Sequence, residues 1–154
     1  MIPKIVHQIW VGPNDKPEYL EGYSAKLKEL HPDWDCRLWT EDSLPTDLLR
    51  TEYLDKLRAP AERADLLRLE LLYRFGGLYI DIDMVPLRPM DPILEMGDFV
   101  ICLAKADRTN NAFMAAKPSL DLVRHLIESG QPTDVFGYSK KAFGPFYVVR
   151  MFGT

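Results

Sequence analysis

The sequence predicts an α/β domain with a mostly parallel central sheet flanked by helices. Short segments rich in β-branched and aromatic residues alternate along the chain with longer segments of helical periodicity. The 154 residues are enough for one domain, and we find no internal repeat or low-complexity tract. Strands that alternate with helices favour parallel pairing, because each helix carries the chain back to the same edge of the sheet.

The first third of the chain contains two predicted strands and two predicted helices. Residues 4–11 and 34–39 have the composition of strands. Residues 18–31 place their apolar side chains at helical spacing, and His31-Pro32 ends that helix. Residues 41–57 are predicted to be helical, although Pro45 interrupts the start.

The strongest local signals come from residues 60–84. Pro60 suits the first turn of a helix, and Glu62 suits its positive end. Gly76-Gly77 is typical of a helix C-terminus, so we expect the helix to end there. The segment LYIDIDM, residues 78–84, follows directly and is predicted to be a buried strand.

The remainder of the chain is predicted to contribute two strands and a helix. Three prolines between residues 86 and 92 indicate an irregular connection. Residues 98–104 and 111–116 are predicted strands, and 119–129 is an amphipathic helix with Ser119 as its N-cap. The tail from about residue 133 has no clear assignment.

The composition is that of a soluble protein and excludes several functional classes. The net charge of −4 argues against a general nucleic-acid binder. Cys36 and Cys102 lie in no metal-binding or redox motif and are expected to be reduced thiols. The N-terminus lacks the pattern of a signal peptide, and no apolar run is long enough to span a membrane. We therefore expect a cytoplasmic protein.

Two acids lie in the predicted strand at residues 78–84. Because side chains alternate between the faces of a strand, Tyr79, Asp81 and Asp83 should share one face. Two carboxylates so close repel each other, and a divalent cation would offset that repulsion. The alternative is that the acids cap turns or pair with Arg88. Ligands of open α/β sheets bind at the carboxyl ends of the strands, where these acids lie.

Four further polar or aromatic positions have both structural and functional interpretations. Asp65 and Arg68 share one helix face. They would form either a surface ion pair or a polar pair directed at the same cleft as the two acids. His7 is more typical of a structural histidine than of a ligand. Trp10 follows the first strand and would either pack in the core or stack on a nucleobase.

Three blocks of the chain resemble a known enzyme family. IPKIVHQIWVG, RADLLRLELLYRFGGLYIDIDM and NNAFMAAKP are similar to the DXD-containing sugar transferases of glycosyltransferase family 32. That family includes yeast α-mannosyltransferases and bacterial capsular-polysaccharide enzymes, and the clostridial glucosylating toxins share a similar core. The resemblance implies a GT-A fold, a nucleotide-sugar donor, Mn²⁺ or Mg²⁺ as cofactor, and transfer with retention at the anomeric carbon.

The resemblance also implies roles for individual residues, and some of them extend to the tail. Asp81 and Asp83 match the DXD acids. Asp83 would be the more direct metal ligand, and Asp81 would hold the ribose or the sugar, or reach the metal through water. Asp65 and Arg68 match the pair that binds the donor sugar. The remaining donor-binding positions are Ile9, Trp10, Tyr79, Asn110 and Asn111, with Trp10 stacking on the base, and Gly144-Pro145 matches a later turn.

The chain ends at Thr154, so the resemblance implies one glycosyltransferase domain over residues 1–154 that is short at its C-terminus. Family members often take a metal or phosphate contact from the later segment, for which this tail offers only Lys140, Lys141 and Tyr147. The resemblance favours a UDP-sugar as donor, with a GDP-sugar second.

The acceptor and the exact reaction stay open at this stage. The acceptor could be a glycan, a lipid-linked sugar, a protein or a modified nucleic acid, and the oligomeric state is equally open. A nucleotide-sugar hydrolase and a catalytically weak sugar-nucleotide-binding module are alternatives with the same donor site. A metal-dependent phosphotransferase or nuclease is a further alternative, but it would need more acids than we identify.

Overall fold

The protein folds around a five-stranded mixed sheet with helices on both faces. The computed structural model describes residues 1–105 and 108–130. The strands are β1 (Ile5–Ile9), β2 (Asp35–Trp39), β3 (Gly77–Ile80), β4 (Phe99–Lys105) and β5 (Arg108–Ala116). The helices are α1 (Tyr19–Leu30), α2 (Thr51–Leu54), α3 (Pro60–Phe75) and α4 (Asp121–Ser129), with short 3₁₀ helices at Glu41–Ser43 and Asp91–Glu95. None of the described helices is both long and apolar enough to cross a membrane.

The sheet has the strand order β2-β1-β3-β5-β4. Strand β1 is parallel to both β2 and β3, whereas β5 is antiparallel to both β3 and β4. The predicted α/β class is confirmed, and the parallel pairing is confined to the first three strands. The carboxyl ends of β1, β2 and β3 therefore lie at the same edge of the sheet.

The two faces of the sheet are covered by different helices. On one face, His7, Trp39 and Tyr79 lie towards α3 and α4, whose leucines form the larger core cluster. On the other face, Val6 and Leu78 pack with Leu27 of α1 and with the 3₁₀ helix Asp91–Glu95. Successive residues of β1 thus alternate between a face covered by α3 and a face covered by α1.

Helix α3 has the predicted bounds and leads directly into β3. Pro60 occupies its first turn, and Gly76 at its C-terminus has a φ of 64°. Gly77 also has a positive φ, 96°, and a Cβ there would lie 2.5 Å from the carbonyl oxygen of Ile5. The Gly-Gly pair therefore serves two needs, left-handed backbone and close approach to β1.

The buried His7 joins β1 to the end of α3, which confirms its structural interpretation. Its Nε2 donates to the carbonyl oxygen of Gly76 at 2.8 Å, and its Nδ1 accepts from Trp39 Nε1 at 3.0 Å. Burial lowers the pKa of His7 to about 4, because the charged imidazolium is disfavoured away from water. The ring is therefore neutral at pH 7.

The predicted helix over residues 41–57 is wrong, since only Glu41–Ser43 and Thr51–Leu54 are helical. Pro45 has no N–H to donate and disfavours a continuous helix. The buried carboxylate of Glu70 accepts the backbone N–H groups of Leu49 and Arg50 at 3.0 and 2.8 Å. This long-range contact holds the segment outside helical geometry, and local periodicity does not reveal it.

Two predictions near the C-terminal side also differ from the structure. Leu120, not Ser119, is the N-cap of α4, because Ser119 has a φ of 56° and donates its backbone N–H to Tyr73 O at 2.7 Å. Strand β5 begins at Arg108, three residues before the predicted start. The tail from residue 133, with Lys140, Lys141, Gly144-Pro145 and Tyr147, lies outside the described residues.

Candidate functional site

Asp81 and Asp83 lie in a turn that follows β3, not in a strand. The strand ends at Ile80, and the Met84 N–H donates to Asp81 O at 3.0 Å, which closes the turn. The Asp81 N–H donates to Ala112 O at 2.9 Å and ties the turn to β5. The predicted strand through Met84 is therefore wrong beyond Ile80. As a result, neither carboxylate is fully buried. The Asp81 side chain is 34% exposed, and Asp83 is exposed.

Arg68 of α3 is the centre of the polar cluster next to this turn. Its Nη2 lies 2.9 Å from Asp65 Oδ1, and its Nη1 lies 3.5 Å from Asp81 Oδ1. Backbone carbonyls complete its coordination, with Ala64 O 3.2 Å from Nε and Asn111 O 2.6 Å from Nη1. One buried guanidinium therefore joins α3, β5 and the turn after β3.

Asp65 and Asn111 form the deepest part of the cluster. Asn111 Nδ2 donates to Asp65 Oδ1 at 2.9 Å, and both residues are buried. The other carboxylate oxygen, Asp65 Oδ2, is buried and has no hydrogen-bond partner within residues 1–105 and 108–130. Burial raises the pKa of Asp65, while the Arg68 guanidinium opposes that rise. A buried acceptor without a donor is costly, so a ligand hydroxyl that reached it would be favoured.

Tyr79 of β3 contacts both Asp81 and Arg68. Its hydroxyl donates to Asp81 Oδ1 at 2.6 Å, and its ring lies 4.5 Å from the Arg68 Cζ atom. Burial raises the pKa of Tyr79 above its usual value, so the phenol stays protonated and acts as a donor. Tyr79 thereby fixes one oxygen of Asp81 and leaves the other directed elsewhere.

Trp10 lies at the same edge of the sheet. It follows β1, and the pairing of His7 with Tyr79 places the residues after Ile9 beside those after Ile80. The half-buried indole of Trp10 donates to Asn14 O at 2.9 Å, which fixes its orientation. Ile9 is buried below it. The position suits a ligand that extends across the carboxyl ends of two neighbouring parallel strands.

An ion pair holds the loop after β1 against α3. The Arg63 guanidinium binds both oxygens of Glu41, with Nη2 2.8 Å from Oε2, and Glu41 Oε1 also accepts the Gly12 N–H at 3.1 Å. The Arg63 hydrogen bond lowers the pKa of Glu41. Sequence reasoning missed these two residues, because 22 positions separate them and no local motif marks the pair.

The structure brings five of the predicted site residues into one connected cluster. These are Asp65, Arg68, Tyr79, Asp81 and Asn111. The predicted ion pair of Asp65 and Arg68 exists, but it is buried and contacts the acid turn, so the cleft interpretation describes it better than the surface one. The Asn110 side chain is engaged within β5, where its Oδ1 accepts the Ala112 N–H at 2.9 Å. Within the described part of the chain, Arg88 forms no ion pair with Asp81 or Asp83.

The acids after β3 suit a hard divalent cation only with help from a ligand. In the described ranges, no three His, Cys, Asp or Glu side chains group to hold a metal. Mg²⁺ and Mn²⁺ typically take one or two carboxylates and complete their shell with water and substrate phosphates. Asp81 has one oxygen outside the Tyr79 hydrogen bond, and Asp83 is exposed. The donor set therefore fits a cation that arrives together with a phosphate-bearing molecule.

The fold is that of a glycosyltransferase of known structure. The solved structure of PaToxG Glycosyltransferase matches with a TM-score of 0.76 over 97% of this chain and 67% of that one, at 17% sequence identity. The family model described as "Glycosyltransferase sugar-binding region containing DXD motif" matches residues 17–100, more than half of the chain. The chain therefore belongs to the DXD-containing glycosyltransferase family, which confirms the resemblance drawn from the sequence.

Curated relatives include fungal mannosyltransferases. "Inositol phosphoceramide mannosyltransferase 3" of Schizosaccharomyces pombe is 35% identical over 134 residues, which cover 81% of this chain and 37% of that protein. "Mannosyl phosphorylinositol ceramide synthase CSH1" of Saccharomyces cerevisiae is 40% identical over 106 residues, 65% of this chain and 28% of that protein. The chain thus spans about a third of the length of these relatives.

Proposed function

We propose that this protein transfers a sugar from a nucleotide-sugar donor to an acceptor, with Mn²⁺ or Mg²⁺ and with retention at the anomeric carbon. The observation that carries the proposal is the Arg68 guanidinium, which contacts Asp65 on α3 and Asp81 after β3. This contact joins a buried carboxylate suited to sugar hydroxyls to an exposed carboxylate suited to a cation and a diphosphate. Family membership supports the same interpretation.

In this proposal, Asp65 and Arg68 hold the donor sugar. Asp65 Oδ2 is the acceptor for a sugar hydroxyl, because its partner oxygen is already used by Asn111 and Arg68. The carboxylates of Asp65 and Asp81 and the carbonyl oxygens of Ala64 and Asn111 contact Arg68, so its charge is preorganised before the donor binds. Preorganised charge in a site that excludes water is worth more than the same charge in solvent.

Asp83 and Asp81 would hold the cation, Asp83 directly and Asp81 through its free oxygen or a water. When bound, a divalent cation would supply Lewis-acid stabilisation of the negative charge that develops on the leaving diphosphate. Tyr79 keeps Asp81 in one orientation through its hydroxyl. Trp10 would stack on the nucleobase, with Ile9 beneath it and Asn110 near the donor.

Retention follows if the acceptor approaches the face of the sugar that the diphosphate leaves. A phosphate oxygen of the leaving group then takes the acceptor proton, and no side-chain base is needed. The proposal uses no side-chain base, because Arg68 engages Oδ1 of both Asp65 and Asp81 and the other Asp65 oxygen is assigned to a sugar hydroxyl. The side chains would orient the donor and exclude water, and orientation alone lowers a barrier considerably.

The donor and the acceptor are to be identified by experiment. UDP-sugars remain the first candidates and GDP-sugars the second. The names of the two fungal relatives refer to a mannosyl group and to an inositol-containing ceramide. We therefore include a mannosyl donor in the screen, and we place a glycolipid first among the candidate acceptors.

A thermal-shift screen tests the donor site. UDP-glucose, UDP-N-acetylglucosamine and GDP-mannose are compared with and without Mn²⁺, since a ligand that binds only the folded state raises Tm. We expect one donor to raise Tm only with Mn²⁺, and Asp83→Ala to abolish the shift. Asp98→Ala is the matched control, because it removes an exposed carboxylate, paired with Lys117, just before β4 and away from the cluster.

The same proteins then distinguish transfer from hydrolysis. Release of free sugar at an unchanged rate when acceptors are added would indicate a nucleotide-sugar hydrolase. No Mn²⁺-dependent shift with any donor, or the same loss in Asp83→Ala and Asp98→Ala, would overturn the proposed site.

A further inference from the structure

A second concave site lies on the face of the sheet opposite the Arg68 cluster. It is a cleft of about 310 Å³ between α1 and the edge strand β2. Its apolar walls come from Ala25, Leu27 and Leu38, with the partly buried Cys36 beside them. The volume is that of a small-molecule pocket. The family resemblance assigns no role to any of these residues.

The polar wall of the cleft contains an amide that lacks a partner. Gln8 is 4% exposed, and its Oε1 accepts the Ser24 hydroxyl at 3.1 Å. Its Nε2 is buried and finds no hydrogen-bond partner among the residues that the structure describes. A buried N–H donor without an acceptor costs free energy, and the majority of such groups in native proteins are paired. Gln8 lines the cleft, so a ligand there can supply the missing acceptor.

Three basic side chains line the cleft, and two of them are paired with acids. Lys16, Lys28 and Arg37 line it, against one acid, Glu21. Lys16 pairs with Glu21 at 3.6 Å, and Arg37 pairs with Asp35 and stacks over Phe75 on the other face. Lys28 forms no ion pair within the described part of the chain. Lys28 lines the cleft together with Cys36.

We propose that this cleft binds a small organic oxyanion, a phosphate monoester or a carboxylate on a short polar body. The amide of Gln8 donates to an oxygen of the ligand, and Lys28 provides the opposite charge at the rim. Ser24 keeps the amide in place. The proposal is independent of the donor site, because Gln8 and Tyr79 lie on opposite faces of the sheet.

The test is a titration of ¹⁵N-labelled protein followed by NMR, with three probes that share one carbon skeleton. Glycerol 3-phosphate, glycerate and glycerol are added separately, and the side-chain NH₂ signal of Gln8 and the amide signals of Ser24 and Leu38 are monitored. We expect saturable shifts with one or both anions, with Kd below about 1 mM, and none with glycerol. The two anions distinguish phosphate from carboxylate recognition.

Two lysines on α1 provide a matched pair of variants. Lys28→Ala should weaken binding about fivefold, which is the effect of one exposed charge contact. Lys26→Ala removes the same charge from the same helix, but Lys26 pairs with Glu29 and does not line the cleft, so binding should be unchanged. Gln8→Leu should abolish the saturable shifts.

Three results would overturn the proposal. One is equal shifts with glycerol and the anions, which would indicate a water-filled cleft. Another is equal weakening in Lys26→Ala and Lys28→Ala, which would indicate a general charge effect. The third is an absence of saturation with either anion in the millimolar range.

Discussion

Arg68 and Asp65 form an ion pair at 2.9 Å in which both side chains are almost fully buried. Buried ion pairs contribute little net stability, because the desolvation of two charges offsets their attraction. Replacement of a buried ion pair by an apolar pair of similar size is often neutral or stabilising. The retention of charge here, beside two acids and an unpartnered carboxylate oxygen, is therefore better explained by ligand binding than by folding.

Removal of the guanidinium should be costly for folding, because it leaves Asp65 buried without its cation. We expect Arg68→Met to lower the free energy of unfolding by about 3 kcal/mol. Asp65→Asn in the same background should recover about 1 kcal/mol or more, since the two changes remove one interaction. The free energies of unfolding are measured by urea denaturation of the wild type, both single variants and the double variant. Strictly additive losses would show that the ion pair is not coupled.

The Tyr79 hydroxyl should affect ligand binding more than folding. Tyr79→Phe removes the donor to Asp81 Oδ1 and should lower stability by about 1 kcal/mol. Binding of the donor with Mn²⁺ should weaken about tenfold, because the ligand carboxylate loses its orientation. Isothermal titration calorimetry measures donor binding, with Mn²⁺ present, to the wild type and to Tyr79→Phe. Tyr53→Phe is the control, because the Tyr53 ring stacks with Arg50 and its hydroxyl forms no hydrogen bond in the described part of the chain.

His7 should make the protein less stable in mild acid. Its pKa is lowered to about 4 when folded, so the unfolded chain binds the proton first as pH falls. Its contribution is complete above pH 6.5, declines between pH 6.5 and about 4, and totals roughly 3 kcal/mol. Urea denaturation across this range should show a flatter pH dependence for His7→Gln. A His7→Gln variant with the wild-type pH dependence would contradict this role of His7.

Two glycines should respond in opposite directions to alanine. Gly77→Ala forces a Cβ to within 2.5 Å of the Ile5 carbonyl oxygen at a φ of 96°, and should cost about 3 kcal/mol or more. Gly22 lies within α1 with nothing within 4 Å of its Cβ position, so Gly22→Ala should raise stability by about 0.5–1 kcal/mol. Thermal denaturation measures the Tm of each variant against that of the wild type. A tolerated Gly77→Ala would contradict the close packing of β3 on β1.

The parts of the fold with local signals were predictable from the sequence. Helix α3 combines Pro60 at its start with glycines at its end, and its predicted bounds are confirmed. Helix α1 is likewise within one residue of its prediction. The segment after Trp39 was not predictable, because a buried carboxylate from α3, Glu70, fixes its backbone from about 20 residues away.

The candidate site was predictable in its residues but not in its connections. The DXD acids, Asp65 and Arg68 follow from the family resemblance. That Arg68 binds the backbone carbonyl of Asn111, 43 positions away, depends on the antiparallel pairing of β3 with β5, which no local pattern encodes. The turn at Asp81 also escaped prediction, because its alternating sequence satisfies strand periodicity as well as a turn.

The most direct test of the central claim locates the cation. Mn²⁺ is paramagnetic and broadens the NMR signals of nearby amides, so ¹⁵N-labelled protein is titrated with Mn²⁺ in the presence of the donor from the thermal-shift screen. We predict selective broadening of amides in residues 65–68, 81–84 and 110–112, with Gly22 and Asp98 unaffected. Broadening centred elsewhere, or the same pattern in Asp83→Ala, would contradict a cation-dependent donor site at the Arg68 cluster.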